Sequence, residues 1–166
     1  YVVQQDEADI DVKLLKPDDG QWYGMSNTFP VTIVLTNTGD ATAVINKVQI
    51  EMTGDMEPAN GLAWAAPEIF IYEPDIVFTD AWIIPGATSI DPGQTEYYTA
   101  MFHCHGACDV VMDALAVWED CNICGDEHLT AGCEPHEVHQ MPLKATLVSS
   151  TDEVIANTIF NLEAAI

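Results

Sequence analysis

The sequence predicts an all-β protein, a sandwich or barrel built from about seven to nine short strands. Three observations predict this class. Several segments alternate polar and apolar residues or are rich in β-branched residues, which is typical of strands. Turn signals built from Gly, Pro, Asn and Asp separate these segments at intervals of about 8 to 15 residues. The sequence shows no sustained helical pattern with capping residues.

The strongest strand signal lies at residues 9–15, where the sequence DIDVKLL alternates with a period of two and ends at a turn over residues 16–20. Further turns are predicted at residues 38–40 and 90–93. The other predicted strands are residues 30–37, 43–52, 69–72, 76–78, 95–102, 143–148 and 154–162.

Residues 110–118 are compatible with either a strand or a helix. The bulky side chains of Val111, Leu115 and Trp118 have helical spacing, whereas Val110, Met112 and Val117 favour a strand. The sequence alone leaves both alternatives open.

The charge of the chain excludes one class of partner. Its 166 residues include 27 Asp and Glu against four Lys and no Arg, for a formal net charge of −23. A surface this negative repels phosphate backbones, so we expect no nucleic-acid partner. No apolar run approaches the roughly 18 residues of a membrane span, so we expect no membrane insertion. The chain opens at Tyr1, which favours a mature secreted protein, outside the cell or on its surface.

Two runs carry a family resemblance. Residues 30–52 (PVTIVLTNTGDATAVINKVQIEM) and residues 90–95 (IDPGQT) resemble strand–turn–strand portions of immunoglobulin-like modules in bacterial and archaeal cell-surface proteins. The resemblance covers about half of the chain. It implies an Ig-like antiparallel β-sandwich displayed on a cell surface.

The first residues have two interpretations. Residues 1–12 form either a first strand of the domain's own sheet or an extended arm that adds a strand to a neighbouring copy through Val2, Val3 and Ile10. The carboxylates of Asp6, Asp9 and Asp11 are candidate calcium ligands. Residues 13–166 then form a single sandwich domain.

All five Cys and all five His lie between His103 and His139. We interpret residues 103–141 as a Cys/His-rich insert between late strands. In an oxidising exterior, the simplest role for the thiols is a disulfide framework with one cysteine left over. The disulfide candidates are Cys104, Cys108, Cys121, Cys124 and Cys133.

A metal site is the alternative role for this segment. Cys121-x-x-Cys124, followed by His128 and Cys133, has spacing typical of zinc ligands. The run from Cys133 to Met141 resembles the ligand loop of cupredoxins, which implies a copper site with Cys133 and His136 as ligands and Met141 in the axial position. The candidate metal ligands are His103, His105, His128, Cys133, His136, His139 and Met141.

The sequence contains no nucleophile elbow, P-loop or dinucleotide fingerprint, and we expect a protein that is not an enzyme. The leading prediction is a secreted structural subunit of a filament, sheath or surface layer. Its partners would be copies of itself, joined by strand exchange and stabilised by disulfides. No cofactor is required by this prediction, although calcium between acidic faces fits it. The alternative is a secreted copper- or zinc-binding protein that uses the Cys/His segment.

Overall fold

The computed structural model describes residues 7–24, 27–54, 56–68, 76–104, 109–122, 126–132 and 134–141. These residues form twelve strands and no helix, arranged as two sheets. The described part of the chain therefore offers no helix long and apolar enough to cross a membrane.

The smaller sheet has four antiparallel strands in the order β1-β3-β9-β5. They are β1 (Ile10–Lys16), β3 (Thr28–Asn37), β9 (Thr95–Cys104) and β5 (Met56–Pro58).

The larger sheet has the order β2-β12-β10-β4-β7-β6, with β11 paired to β10 and β8 paired to β4. Its strands are β2 (Gln21–Gly24), β4 (Ala43–Met52), β6 (Ala63–Ala65), β7 (Asp80–Ile83), β8 (Ser89–Ile90), β10 (Asp109–Asp120), β11 (Glu127–Ala131) and β12 (His136–Met141). Its pairings are antiparallel except that of β12 with β2, which is parallel. This pairing differs from the purely antiparallel sandwich that the sequence predicts.

The hydrophobic core lies between the two sheets and follows from strand alternation. In β3, every second side chain from Phe29 to Leu35 is fully buried, and Tyr98 and Phe102 of β9 join them. The larger sheet contributes Ile50 and Met112. Burial of each such side chain stabilises the fold by about 1.5–3 kcal/mol.

Strand β10 resolves the ambiguity at residues 110–118 in favour of a strand. Val110 and Met112 face the core between the sheets, whereas Leu115 lies on the opposite face of β10 and is buried against Phe78. A strand covered on both faces carries a nearly continuous apolar run, so its period of two is hidden. The loop containing Phe78, where the sequence predicts a strand at residues 76–78, forms this outer cover instead.

The structure differs from the expected insert at residues 103–141. The described part of this segment contributes β10, β11 and β12 to the larger sheet, and β10 is one of its central strands. The strands predicted at residues 9–15, 30–37, 43–52 and 95–102 are present with small changes in their ends. The short strands β2, β5, β6, β7 and β8 are absent from the sequence-based prediction. The strands predicted at residues 69–72, 143–148 and 154–162 lie outside the described residues.

The first strand belongs to the domain's own sheet. Ile10 is buried and pairs with Asn37 of β3. Residues 10–12 therefore belong to a strand of the domain's own sheet and are not an exchanged arm. Val2 and Val3 lie outside the described residues.

Asn37 holds the turn between β3 and β4 together. Its side chain is fully buried, and its amide Nδ2 donates to the carbonyl oxygens of Ala41 (2.7 Å) and Ile90 (2.9 Å). Its Oδ1 accepts from the backbone N–H groups of Gly39 (3.1 Å) and Asp9 (3.3 Å). One side chain therefore joins the start of β1, the β3–β4 turn and β8.

Candidate metal centre

The register of β10 against β12 brings three potential metal ligands onto one face of the larger sheet. Asp109 pairs with His139, and Val110 pairs with Val138. Val110 and Val138 are buried in the core, so their neighbours Asp109, Glu137 and His139 point to the outer face.

The three side chains lie close together. His139 Nδ1 is 2.8 Å from Asp109 Oδ1. One ligand atom from each of Asp109, Glu137 and His139 lies within 4.8 Å of the other two. Asp109 and Glu137 are exposed and His139 is half-buried, so the group is open to solvent on one side.

Trp22 holds the imidazole of His139 from the other side. Strand β2 pairs in parallel with β12, and this register places Trp22 beside His139. The two rings stack with centroids 4.4 Å apart and planes 29° apart. The stack restricts the ring of His139.

The surrounding carboxylates change the acidity of His139. The hydrogen bond to Asp109 is the largest effect and raises the pKa of the imidazole. Burial opposes it as the next largest effect, and the charges of Asp109, Glu137 and Asp19 each raise the pKa by a smaller amount. Asp19 is held nearby because its Oδ1 accepts from the backbone N–H of Glu137 at 2.8 Å. The site therefore favours a positive charge, either a proton on His139 or a bound cation.

The other described histidines of the predicted ligand set lie apart from this group. His103 Nδ1 is 2.9 Å from Thr28 Oγ1 on the smaller sheet, and His136 Nδ1 is 2.7 Å from the carbonyl oxygen of Pro17. His128 stacks on Trp118 with centroids 4.5 Å apart. Among the described residues, the one group of three or more His, Cys, Asp or Glu ligands is Asp109, Glu137 and His139.

The thiol-based predictions fall mainly outside the described residues. His105, Cys108, Cys124 and Cys133 lie there, and for Cys104 and Met141 the structure describes only the backbone. Cys121 is exposed in the turn after β10. The disulfide framework and the copper ligand loop therefore stay predictions.

The predicted calcium ligands are separate from the candidate centre. Asp9 accepts a hydrogen bond from Thr38 Oγ1 at 3.0 Å, and Asp11 forms an ion pair with Lys13 at 2.7 Å. Asp6 lies outside the described residues. Calcium binding at the first strand stays a prediction.

Sequence reasoning found His139 but missed Asp109, Glu137 and Trp22. Glu137 and His139 lie on either side of the apolar Val138, and this alternation indicates that both side chains face outward. The approach of Asp109 and Trp22 depends on the pairing of three strands that are distant in sequence.

Three solved structures are similar to this chain. The CARDB domain of a Pyrococcus furiosus protein, solved in complex with di-metal ions, matches with a TM-score of 0.50 and 13% identity, covering 81% of this chain and 90% of that chain. The PapD-like domain 7 of human CEP192 matches with a TM-score of 0.45 and 8% identity, over 80% and 85% of the two chains. Spo0M, a sporulation control protein of Bacillus subtilis, matches with a TM-score of 0.43 and 12% identity, over 80% and 49%.

No protein-family model matches the sequence, and no curated protein matches it. At 13% identity the similarity to the CARDB domain shows the fold alone. The chain is an immunoglobulin-like β-sandwich domain.

Proposed function

We propose that this chain is a non-catalytic structural module of an extracellular assembly, in which copies associate edge to edge through the larger sheet. The observation that carries the proposal is an exposed tryptophan on each of the two strands that end this sheet within the described residues. Trp22 lies on β2 and is 55% exposed, and Trp64 lies on β6 and is 58% exposed.

The edges of a sheet are suited to association with another chain. A terminal strand presents unpaired N–H and C=O groups, and natural proteins usually protect such edges with charges, proline or a covering loop. Large aromatic side chains are instead typical of the centres of protein interfaces, where their burial supplies much of the binding energy. Trp22 and Trp64 are therefore candidate anchors for a neighbouring subunit.

The two edges differ from each other, which favours an open assembly. Strand β2 has the sequence QWYG and β6 has the sequence AWA. Pairing of β2 in one copy with β6 in the next is a head-to-tail contact, and such contacts generate filaments or sheets unless the rotation closes a ring. This geometry fits the predicted filament, sheath or surface layer.

Charge sets the conditions for assembly. Each copy carries a formal charge of −23, so association requires screening by salt or neutralisation by cations. An exterior rich in salt or divalent cations supplies both. Residues 1–6, the part of the predicted arm that lies outside the described residues, and intermolecular disulfides would add further links between copies and stay predictions.

Sedimentation velocity tests the proposal. The protein is compared at low salt and in about 1 M NaCl, where the Debye length falls to about 3 Å. We expect salt to produce larger species, and we expect Trp22→Ser and Trp64→Ser each to reduce them to monomers. Tyr97→Ser is the matched control, because Tyr97 is 62% exposed but lies on β9, an interior strand of the smaller sheet.

Two results would contradict the proposal. A monomer at all salt concentrations would show that the edges do not associate. Equal loss of assembly in the Tyr97→Ser control would show that the tryptophan-bearing edges have no special role.

A further inference from the structure

We propose that Asp109, Glu137 and His139 bind one divalent first-row transition-metal ion, for which Zn²⁺ is the probe, on the outer face of the larger sheet beside β2. This site adjoins the β2 edge proposed above, because Trp22 stacks on His139, but its ligands take no part in that association and include none of the thiols that the sequence predicts.

The backbone already fixes two of the three ligands. Asp109 and His139 are direct partners across β10 and β12, and their ligand atoms are 2.8 Å apart. Ligand atoms bonded tetrahedrally to one ion at about 2.0–2.1 Å are separated by about 3.3 Å, so the two atoms become adjacent ligands of a single ion once they move apart by about 0.5 Å. Glu137 is two residues from His139 on the same face.

Closing the site requires only side-chain adjustment. The three ligand atoms lie within 4.8 Å of one another, and both carboxylates are exposed and therefore able to change rotamer. The ring of His139 moves less than the two carboxylates, because it is stacked on Trp22. Water completes the coordination shell on the open side of the sheet.

The local charge balance favours a cation. At neutral pH, Asp109 and Glu137 add two negative charges to a site that also faces Asp19. The three lysines that the structure describes each pair with a different carboxylate, namely Lys13 with Asp11, Lys16 with Asp18 and Lys47 with Glu68. The carboxylates beside His139 are therefore not neutralised by any of these lysines.

The mixture of ligands selects the class of ion. A nitrogen ligand with two carboxylates suits Zn²⁺ and its first-row neighbours, whereas Ca²⁺ and Mg²⁺ prefer sites made entirely of oxygen. Metal binding must displace any proton from His139, so affinity falls as the pH is lowered.

Isothermal titration with Zn²⁺ tests the site on protein freed of metal and with its accessible thiols alkylated, so that cysteines do not compete. The variants are His139→Gln and the double variant Asp109→Asn/Glu137→Gln. The double variant changes only exposed carboxylates and so keeps the fold. We expect each to weaken the binding event by at least about tenfold, or about 1.4 kcal/mol.

His128→Gln is the matched control. His128 stacks on Trp118 much as His139 stacks on Trp22, yet it belongs to no group of three ligands among the described residues. We expect its Zn²⁺ affinity to stay within about twofold of the unaltered protein. We also expect Co²⁺ to quench the fluorescence of Trp22 in the unaltered protein and not in His139→Gln.

Two outcomes would overturn the assignment: no binding by the unaltered protein, or equal affinity in the unaltered protein and the double variant. Sedimentation velocity of the same double variant reports on assembly independently. Failure of the metal site and failure of the edge association are thus distinguishable.

Discussion

Replacement of Asn37 by Ala removes the side chain that joins three parts of the sandwich. The substitution deletes two hydrogen bonds to buried carbonyl oxygens, at 2.7 and 2.9 Å, and two to backbone N–H groups, at 3.1 and 3.3 Å. A net hydrogen bond contributes about 1 kcal/mol, and the two longer bonds contribute less. We expect the free energy of unfolding to fall by about 3 kcal/mol.

Equilibrium unfolding in guanidinium chloride, followed by tryptophan fluorescence, measures this loss, because the high ionic strength of the denaturant screens the charge of −23. Asn46→Ala is the matched control. Asn46 is exposed and its amide donates to Glu119 at 2.8 Å, so we expect a change below about 0.5 kcal/mol.

A second variant separates the donor and acceptor roles of the amide. Asn37→Asp keeps an acceptor for the N–H groups of Gly39 and Asp9 but places a carboxylate oxygen against the carbonyl oxygens of Ala41 and Ile90. We expect it to destabilise at neutral pH at least as much as Asn37→Ala. A loss below about 1 kcal/mol in Asn37→Ala would refute the reasoning that this buried network holds the turn.

Three further predictions concern the outer cover of the larger sheet, Tyr98 and His139. Phe78→Ala should lower the free energy of unfolding by about 3 kcal/mol because Phe78 covers Leu115. The control Val77→Ala changes an exposed neighbour and should alter this free energy by less than about 0.5 kcal/mol. Equal effects of the two variants in denaturant unfolding would show that Phe78 does not cover the outer face of the larger sheet. Burial raises the pKa of Tyr98 to about 12, with a smaller contribution from the charge of Glu96, so absorbance near 295 nm should show a phenol that ionises only near pH 12. The folded state then holds this proton more tightly than the unfolded state, so the contribution of Tyr98 to stability is complete below its ordinary pKa of about 10 and disappears as the pH rises through 12. The pKa of His139 is raised mainly by the hydrogen bond to Asp109. The contribution of this group to stability is therefore complete below the ordinary histidine pKa and is lost as the pH rises through the raised value. Nuclear magnetic resonance titration should show that Asp109→Asn lowers the pKa of His139, and an unchanged titration would contradict the hydrogen bond.

The fold class was predictable because its evidence is local. The alternation in β1 and the β-branched runs of β3 and β4 identify these strands from their own residues. The Asn-Thr-Gly-Asp turn at residues 37–40 likewise marks the boundary between β3 and β4.

The short strands escaped prediction because their stability is not local. Strands β5 and β6 have three residues each, too few to show a period, and they form because longer neighbours supply the hydrogen bonds. Pairing between distant segments also explains why the clustering of Cys and His between residues 103 and 139 wrongly suggested an insert. Composition marked the segment as unusual, but its apolar residues on β10 belong to the centre of the larger sheet.

The sequence by itself determined an acidic all-β chain, most of its long strands, and His139 as a candidate ligand. Only the tertiary structure decided that β10 is a strand covered on both faces, that β2 and β6 end the larger sheet with exposed tryptophans, and that Asp109, Glu137, His139 and Trp22 meet. The physical reason is that alternation along one strand tells which side chains share a face, whereas strand order and register arise from pairing between segments far apart in sequence.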